Sequence, residues 1–451
     1  MTPCEPLGSK GELLRYFSSA CKQPQEFRIG AEFEKLGVDE HTGAALPFSG
    51  PCGVEATLKQ LAAAFGWAPL YEGGHVVGLE RHGGAHISLE PGAQLELSTT
   101  ACRTLDEMAK ELSTHIGELK EVSGPCGIAW LGLGMQPVSA WEQIEVIPKQ
   151  RYAIMTRYMP RKGPLGLAMM RQTAAVQLNL DYCDEQDAME KCRLSMLLSP
   201  VLMALYANSP VSDGRTNGFV SKRVFIWGHT DPDRCGLIEK LFSPGAGFED
   251  YVEYALGVPM YFIVRDGRWI EIGGRVTFGR FLERGFEGHT PSWQDWTLHL
   301  NTVFTTVRFN PFLEIRGIDC PPPRLIMSVP AVVKGILYDA EARQAARSLV
   351  GSWTLAEIRA LYDEVSRKGP HAVIRGRALK EIAPELVRIS KRGLKNQRGT
   401  TPGEAPDETV YLEPLEELLE CGSLCPALDI LSHWEGDWNR DIRKLIAYAR
   451  F

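Results

Sequence analysis

Between Arg28 and Lys35 the chain reads Arg-Ile-Gly-Ala-Glu-Phe-Glu-Lys. Side chains alternate across a strand, so Glu32 and Glu34 share one face while Ile29, Ala31 and Phe33 take the other. Three further segments repeat this pattern. In 87–98, Ser88 and Glu90 alternate with Ile87 and Leu89; past a Pro91-Gly92 break, Gln94, Glu96 and Ser98 alternate with Leu95 and Leu97. In 176–181, Gln177, Asn179 and Asp181 stand opposite Val176, Leu178 and Leu180, and in 312–317 Glu314 and Arg316 stand opposite Leu313 and Ile315. Any one of these is an ordinary half-buried strand with a wet outer face. Together they set five glutamates against a single placed cation, Arg316, and adjacent like charges destabilise a sheet. Hard cations held among the oxygens would remove that cost, and Mg²⁺ favours this ligand type and is commonly shared with nucleotide phosphates. The chain has no Gly-x-x-x-x-Gly-Lys-Ser/Thr loop and no kinase-like glycine loop with a His-Arg-Asp segment. A bound nucleotide would therefore have its phosphates held by metals.

The strand signals run from Arg28 to about Asp319: Arg28–Val38, His86–Ser98, Ile128–Met135, Thr173–Asp181, Met260–Arg265, Trp269–Ile272 and Phe312–Gly317. A short helix over Gly11–Ala20 precedes them. Between them Thr104–Val122 reads as a helix, with Thr104 and Glu107 as a capping box and Leu105, Met108, Leu112, Ile116 and Leu119 on one face. From about Ala331 the pattern turns helical, with Trp353–Ser366 (capping box Thr354/Glu357) and Ala378–Lys391 as amphipathic helices. The stretch Asn396–Thr409, with Gly399, Pro402, Gly403 and Pro406, reads as a loop. These signals predict an α+β fold in one catalytic domain over residues 1–451, with a sheet-containing core over about 28–340 and a helical segment over about 341–451.

The net charge of −7 argues against a nucleic-acid partner. The one basic cluster, Arg388, Lys391, Arg392, Lys395 and Arg398, has the spacing of a solvated helix end. No window holds the roughly 18 apolar residues of a membrane span. The eleven cysteines follow no metal-binding spacing, and Met1-Thr-Pro-Cys-Glu-Pro-Leu-Gly has no secretory features. The expectation is a cytoplasmic protein with free thiols, most of them buried.

The ordered set of motifs resembles the plant-type branch of glutamate–cysteine ligase, within the glutamine-synthetase-like carboxylate–amine ligases. The matching pieces are 28–35, 88–98, Pro148-Lys-Gln-Arg-Tyr-Ala-Ile-Met, Tyr158-Met-Pro, 176–181, Ala207-Asn-Ser-Pro, Asn217-Gly-Phe, Arg223, Asp231-Pro-Asp-Arg-Cys-Gly, Val258-Pro-Met-Tyr-Phe and Leu313-Glu-Ile-Arg-Gly. They recur over about 28–340 and fade through the tail. The resemblance implies a mainly antiparallel, curved sheet forming an acid-lined funnel with helices on its back. It also implies a reaction: ATP phosphorylates the γ-carboxylate of glutamate, and the amine of cysteine displaces phosphate to give γ-glutamylcysteine. The substrates are then glutamate, cysteine and ATP, with Mg²⁺ as cofactor, acting on a monomer or homodimer.

Carried over by position, Glu32, Glu34, Glu90, Glu96 and Glu314 resemble metal ligands, and Gln177 completes that shell. Arg316 is similar to the arginine that stabilises the transferring phosphoryl group, working with Glu34. Arg151 and Arg223 resemble anchors of the glutamate substrate, and Tyr261 a pocket-lining tyrosine. Plant members carry a regulatory disulfide, and one of its cysteines corresponds to Ala109 here, so that switch is not expected. The alternatives are a γ-glutamyl–amine ligase with another acceptor, a glycosidase using a carboxylate pair, and a non-catalytic binding protein.

Overall fold

A computed structural model describes residues 5–398 and 407–451 of the chain. Gly399, Pro402, Gly403 and Pro406 of the expected loop, and Cys4, lie outside the described residues.

The strand β1 (Ile29–Asp39) forms where the alternation is strongest and organises the rest. Then come β2 (Ala68–Glu72), β3 (His75–Glu80), β4 (His86–Leu89), β5 (Leu95–Ser98), β6 (Ile128–Leu131), β7 (Ala175–Leu180), β8 (Val307–Phe309) and β9 (Leu313–Asp319). Among the described residues these nine form one sheet in the order β8-β9-β7-β1-β5-β4-β3-β2, and β6 pairs the far half of β1. Every neighbouring pair in it is antiparallel.

Register converts the period-two pattern into two chemically distinct faces. Val176, Phe33, Leu97, Ile87 and Leu79 lie in consecutive register and form an apolar row across five strands. All five are buried, and each such side chain contributes roughly 2 kcal/mol. Helices Val54–Phe65, Glu185–Leu205 and Ser328–Leu337 pack against the sheet, and Leu58, Met108, Leu198 and Val332 share one core with the apolar row. A second core gathers Phe17, Phe248, Tyr251, Trp296 and Phe309.

The helix Leu105–Ser123 begins at Thr104, whose hydroxyl accepts from the Glu107 N–H while the Glu107 carboxylate accepts from Thr104. The tail is helical from Pro323, interrupted by a small hairpin, Val373–Ile374 with Arg377–Ala378. It returns to the sheet, where the Phe451 N–H donates to the Trp130 carbonyl at 2.9 Å. Of the basic cluster, Lys391 pairs with Glu416 at 2.7 Å and Arg398 with Asp407 at 3.4 Å, and the three arginines are exposed from the middle to the end of helix Leu379–Arg398. No helix among the described residues is long and apolar enough to cross a membrane.

Two expectations are corrected, and one hairpin was not foreseen. The strand foreseen over Ile128–Met135 stops at Leu131, where a side chain on Gly132 would come within 2.3 Å of the Pro321 carbonyl; Met135 makes only an isolated bridge to Thr173. The hairpin β2–β3 carried no alternating signal, because β2 is exposed along nearly its whole length and the middle of β3 is buried on both sides. The thiols are not all free: Cys52 and Cys126 form a disulfide across a Cα–Cα distance of 5.6 Å and 74 residues of chain. Cys102, Cys192, Cys320 and Cys425 are free and buried, but Cys21, Cys183 and Cys235 are only partly buried and Cys421 is exposed, so half of the described free thiols, not most, are buried.

Candidate active site

The polar face follows from the same registers. Glu34 pairs with Glu96, and Glu96 with Ser88; Glu32 lies between Gln177 and Ser98; Glu314 lies opposite Asn179. Four strands therefore bring Glu32, Glu34, Glu96, Gln177 and Glu314 onto one face. Glu90 stands at the end of β4, in a turn closed by the Ala93 N–H to the Glu90 carbonyl at 2.9 Å. Gly92 is required there, since a Cβ would come within 2.3 Å of the Arg171 carbonyl. Gln94 and Asp181 share the alternation but serve the scaffold. Gln94 bonds the carbonyls of Met170 and Thr173, and Asp181 takes Lys22 Nζ at 2.7 Å.

Glu34 accepts from the Ala175 N–H at 2.8 Å and from Gln177 Nε2 at 3.0 Å. Glu32 accepts from Asn179 Nδ2 at 3.1 Å, and Glu96 from the hydroxyls of Ser88 (2.8 Å) and Ser98 (3.3 Å). These neutral donors do not cancel the charge. Burial, then the charges of Glu96 and Glu314, push Glu32 up to about 8. Burial and the charges of Glu90 and Glu96 raise Glu34 well above the ordinary carboxylate value, and burial with Glu90 raises Glu96. On the other face Lys35 is fully buried, with Nζ donating to the Phe33 carbonyl at 2.7 Å; burial lowers it to about 8.

Glu314 is different. It accepts from Arg308 Nε at 2.7 Å, from Asn310 Nδ2 at 3.0 Å and from Arg316 Nη1. Burial raises its affinity for a proton, but Arg308 and Arg316 outweigh it and hold the carboxyl below its ordinary value.

The amide oxygens matter as much. Gln177 Oε1 and Asn179 Oδ1 are buried without a hydrogen-bond partner. Orphaned carbonyl oxygens beside carboxylates short of positive charge form a hard-oxygen donor set, which fits a divalent cation such as Mg²⁺. Among the described residues no group of three His, Cys, Asp or Glu side chains is arranged to hold a metal ion as it stands. Further oxygens, from amides, water or a phosphate, are needed to complete a shell.

The arginines flank this face. Arg223 is buried, donates from Nη2 to the Arg316 carbonyl at 3.0 Å, and leaves Nε unpartnered. With Arg316 it lines a cavity whose other walls include Met203, Trp227, Phe304 and Tyr362. Arg151 lies over the Tyr152 ring at 4.5 Å and donates to its hydroxyl at 2.5 Å, with Nε likewise buried and unpartnered. Tyr152 in turn donates to the Leu89 carbonyl beside Glu90. Tyr261 is set apart from the acids: its hydroxyl donates to Asp231 at 3.2 Å and its ring lies 3.7 Å from the Arg234 guanidinium. It reaches the cavity only by its ring packing near Phe304, at 6.4 Å between centroids.

Sequence reading passed over four side chains that shape the site: Arg308 and Asn310, which grip Glu314, and Asp319 and Ser221, which bond each other beside Arg223. Strict alternation would put Asp319 with Leu313 and Ile315; it could have been found by reading Gly317 as a bulge, since the register shifts between Ile315 and Ile318 and a glycine inside a strand marks such a bulge.

The profile of the family described as Glutamate-cysteine ligase family 2 (GCS2) matches residues 28–447, so the likeness continues through the helical tail instead of fading near 340. Glutamate–cysteine ligase, chloroplastic, of Arabidopsis thaliana is 38% identical over 441 residues, 97% of this chain and 82% of that protein. The Brassica juncea protein of the same name is also 38% identical, over 97% of this chain and 83% of its own length. Among solved structures, the crystal structure of glutamate–cysteine ligase from Francisella tularensis in complex with AMP aligns with a TM-score of 0.55 at 12% identity, covering 93% of this chain and 88% of that one, a likeness of fold. The cytoplasmic expectation is overturned by the relatives' names, which describe those proteins as chloroplastic. An antiparallel sheet with its acids on one face, matched across nearly its whole length at this identity, leaves one assignment: the chain belongs to glutamate–cysteine ligase family 2.

Proposed function

We propose that this chain joins the γ-carboxylate of glutamate to the amine of cysteine with ATP, through γ-glutamyl phosphate, giving γ-glutamylcysteine, ADP and phosphate, the first step of glutathione biosynthesis. The observation that carries this reading is the 38% identity over 97% of the chain, and the convergence of Glu32, Glu34, Glu96 and Gln177 supplies its chemistry.

Phosphoryl transfer between two anions needs charge neutralisation and in-line positioning more than covalent help. Glu32, Glu34, Glu90, Glu96 and the free oxygen of Gln177 would hold Mg²⁺, with Glu314 at the edge of the set. When bound, the metal neutralises phosphate oxygens and polarises the phosphorus for attack. The remaining roles fall to the protein's own groups. Arg316 donates to Glu314 and feels the charges of Glu32 and Glu34 as well, so its guanidinium can stabilise charge on the phosphoryl group in transfer. Arg223 and Arg151 each keep a buried, unpartnered Nε–H, and forked guanidinium donors suit the carboxylates of glutamate. Tyr261 fixes the wall behind the cavity, through Asp231 and Phe304. A glycosidase would use two carboxylates and leave these arginines without a role.

The whole chain acts as one catalytic unit in this reading, supported by the largest hydrophobic cluster, which takes in residues from Ile29 to Phe451 beside the second core. It works as a monomer or homodimer on small-molecule substrates alone. The test is phosphate release from ATP with Mg²⁺ and glutamate, with cysteine present, absent or replaced by a panel of other amines. Cysteine-dependent release of one phosphate per γ-glutamylcysteine is expected. Release with no preference for cysteine would assign a γ-glutamyl–amine ligase with another acceptor, and ATP-independent turnover of a glycoside would discard the proposal.

A further inference from the structure

Asp319 closes β9 on the far side of the bulge and is buried, with 2% of its surface exposed. Three segments distant in sequence converge on its carboxylate. It accepts from the Asn208 N–H at 3.0 Å and the Ser209 hydroxyl at 2.7 Å, both in the Ala207-Asn-Ser-Pro motif. The Ser221 hydroxyl lies 3.0 Å from each of its oxygens, and Arg223 Nη1 stands 3.8 Å away. Gly134 backs directly onto it, since a Cβ there would come within 2.6 Å of Oδ2.

The two serines pass this grip to Arg223. The Ser209 hydroxyl accepts from the Arg223 N–H at 3.2 Å, and the Ser221 hydroxyl accepts from the Val224 N–H at 3.2 Å, capping the helix Lys222–Gly228 that carries Arg223. The backbone of Arg223 is thus tied to Asp319 through one serine, its helix through another, and its guanidinium by charge. A buried carboxylate is costly unless its donors are supplied in full. A neutral residue could pack the same corner without that cost, but it would not tie serine donors and a guanidinium to one point.

We propose that Asp319 is the positioning residue for Arg223, holding the guanidinium so that its free Nε–H edge meets the carboxylate of the glutamate substrate. This rests on the reading above that Arg223 anchors glutamate. Asp319 touches no substrate itself.

The experiment compares Asp319→Asn, Arg223→Lys and the double variant, measuring KM for glutamate, KM for ATP, kcat and melting temperature. Each single change is expected to raise the glutamate KM about tenfold, the worth of one charge-assisted hydrogen bond. The KM for ATP stays near that of the parent, kcat changes less than the glutamate KM, and the double variant is no worse than the worse single one, because both remove the same interaction. If Arg223→Lys raises the glutamate KM and Asp319→Asn does not, the positioning role is overturned while the anchor stands. If Arg223→Lys leaves the glutamate KM unchanged, the anchor reading fails and takes this inference with it. Additive losses, or equal losses in both KM values with a lowered melting temperature, would assign Asp319 a structural role only and also overturn the proposal. Should Asp319→Asn not fold, Ser209→Ala removes one arm of the same link and is judged by the same outcomes.

Discussion

Glu34 and Glu314 lie on one face of one sheet, two strands apart, yet their surroundings push them in opposite directions. Around β1 and β5, burial and mutual repulsion raise Glu32, Glu34 and Glu96, and their partners are amides, hydroxyls and one backbone N–H. On β9, Arg308, Asn310 and Arg316 surround Glu314 and hold its carboxyl low. The face is therefore divided into a half whose acids are not held in direct ion pairs and a half whose acid is paired with Arg308 and Arg316. In the proposed reaction the acids of the first half would hold the divalent cation, which would supply charge neutralisation, and the second half presents Arg316 to the group in transfer.

The largest effect should come from emptying the first half of charge. Glu34→Gln keeps the size of the side chain and removes one negative charge from the crowded end. Phosphate release with glutamate and cysteine should fall about 10³-fold, since metal and oxyanion stabilisation are each worth several kcal/mol. The fold should survive and melt no lower than the parent, because a repelling charge has gone. Near-parent turnover in a phosphate assay would break the division between the halves.

The opposite behaviour is expected of the second half. Glu314→Gln leaves Arg308 and Arg316 buried without their shared counter-charge, and breaking a buried pair by removing one partner costs about 3 kcal/mol. Urea unfolding should show that loss, while the same measurement on Glu34→Gln shows none. Equal stabilities for the two variants would mean that the arginines do not neutralise Glu314.

How much of this could be read in the sequence depended on the range of the interaction that fixes each part. The facing of Glu32, Glu34, Glu96 and Gln177 follows from period-two alternation inside single strands, and the start of helix Leu105–Ser123 from Thr104 and Glu107, three residues apart. The division of the face was not legible. It is made by Arg308, on a three-residue strand too short to show a period, and by register between segments far apart in the chain. Asp319 was hidden by the bulge at Gly317, which ends the visible alternation one turn of the pleat too early. The Cys52–Cys126 bridge spans 74 residues, and irregular spacing gives no hint of pairing. Conversely, Asp181 fits the alternation and still serves Lys22, because the pattern gives a side chain's face and not its neighbour.

The smallest expected effect is the dependence of stability on pH without divalent cations, and it addresses the first half alone. Glu32 rises from an ordinary 4.5 to about 8 in the folded chain, and Glu34 and Glu96 shift the same way. Between those two values the folded state binds more protons than the unfolded one, so stability falls as pH rises. The contribution of Glu32 is fully present below pH 4.5 and is lost as pH climbs through about 8, and those of Glu34 and Glu96 run in the same direction. Glu314 runs the other way, but its lowered value confines its effect to acid below the ordinary carboxylate range. In chelator-treated protein the melting temperature should therefore decline by a few degrees from pH 6 to pH 8, and added Mg²⁺ should restore more of it at pH 8 than at pH 6, where protons compete for the same oxygens. Glu34→Gln should flatten that slope and Glu314→Gln should leave it. A slope that both variants leave untouched would place the titrating groups elsewhere in the molecule and erase the distinction between the two halves.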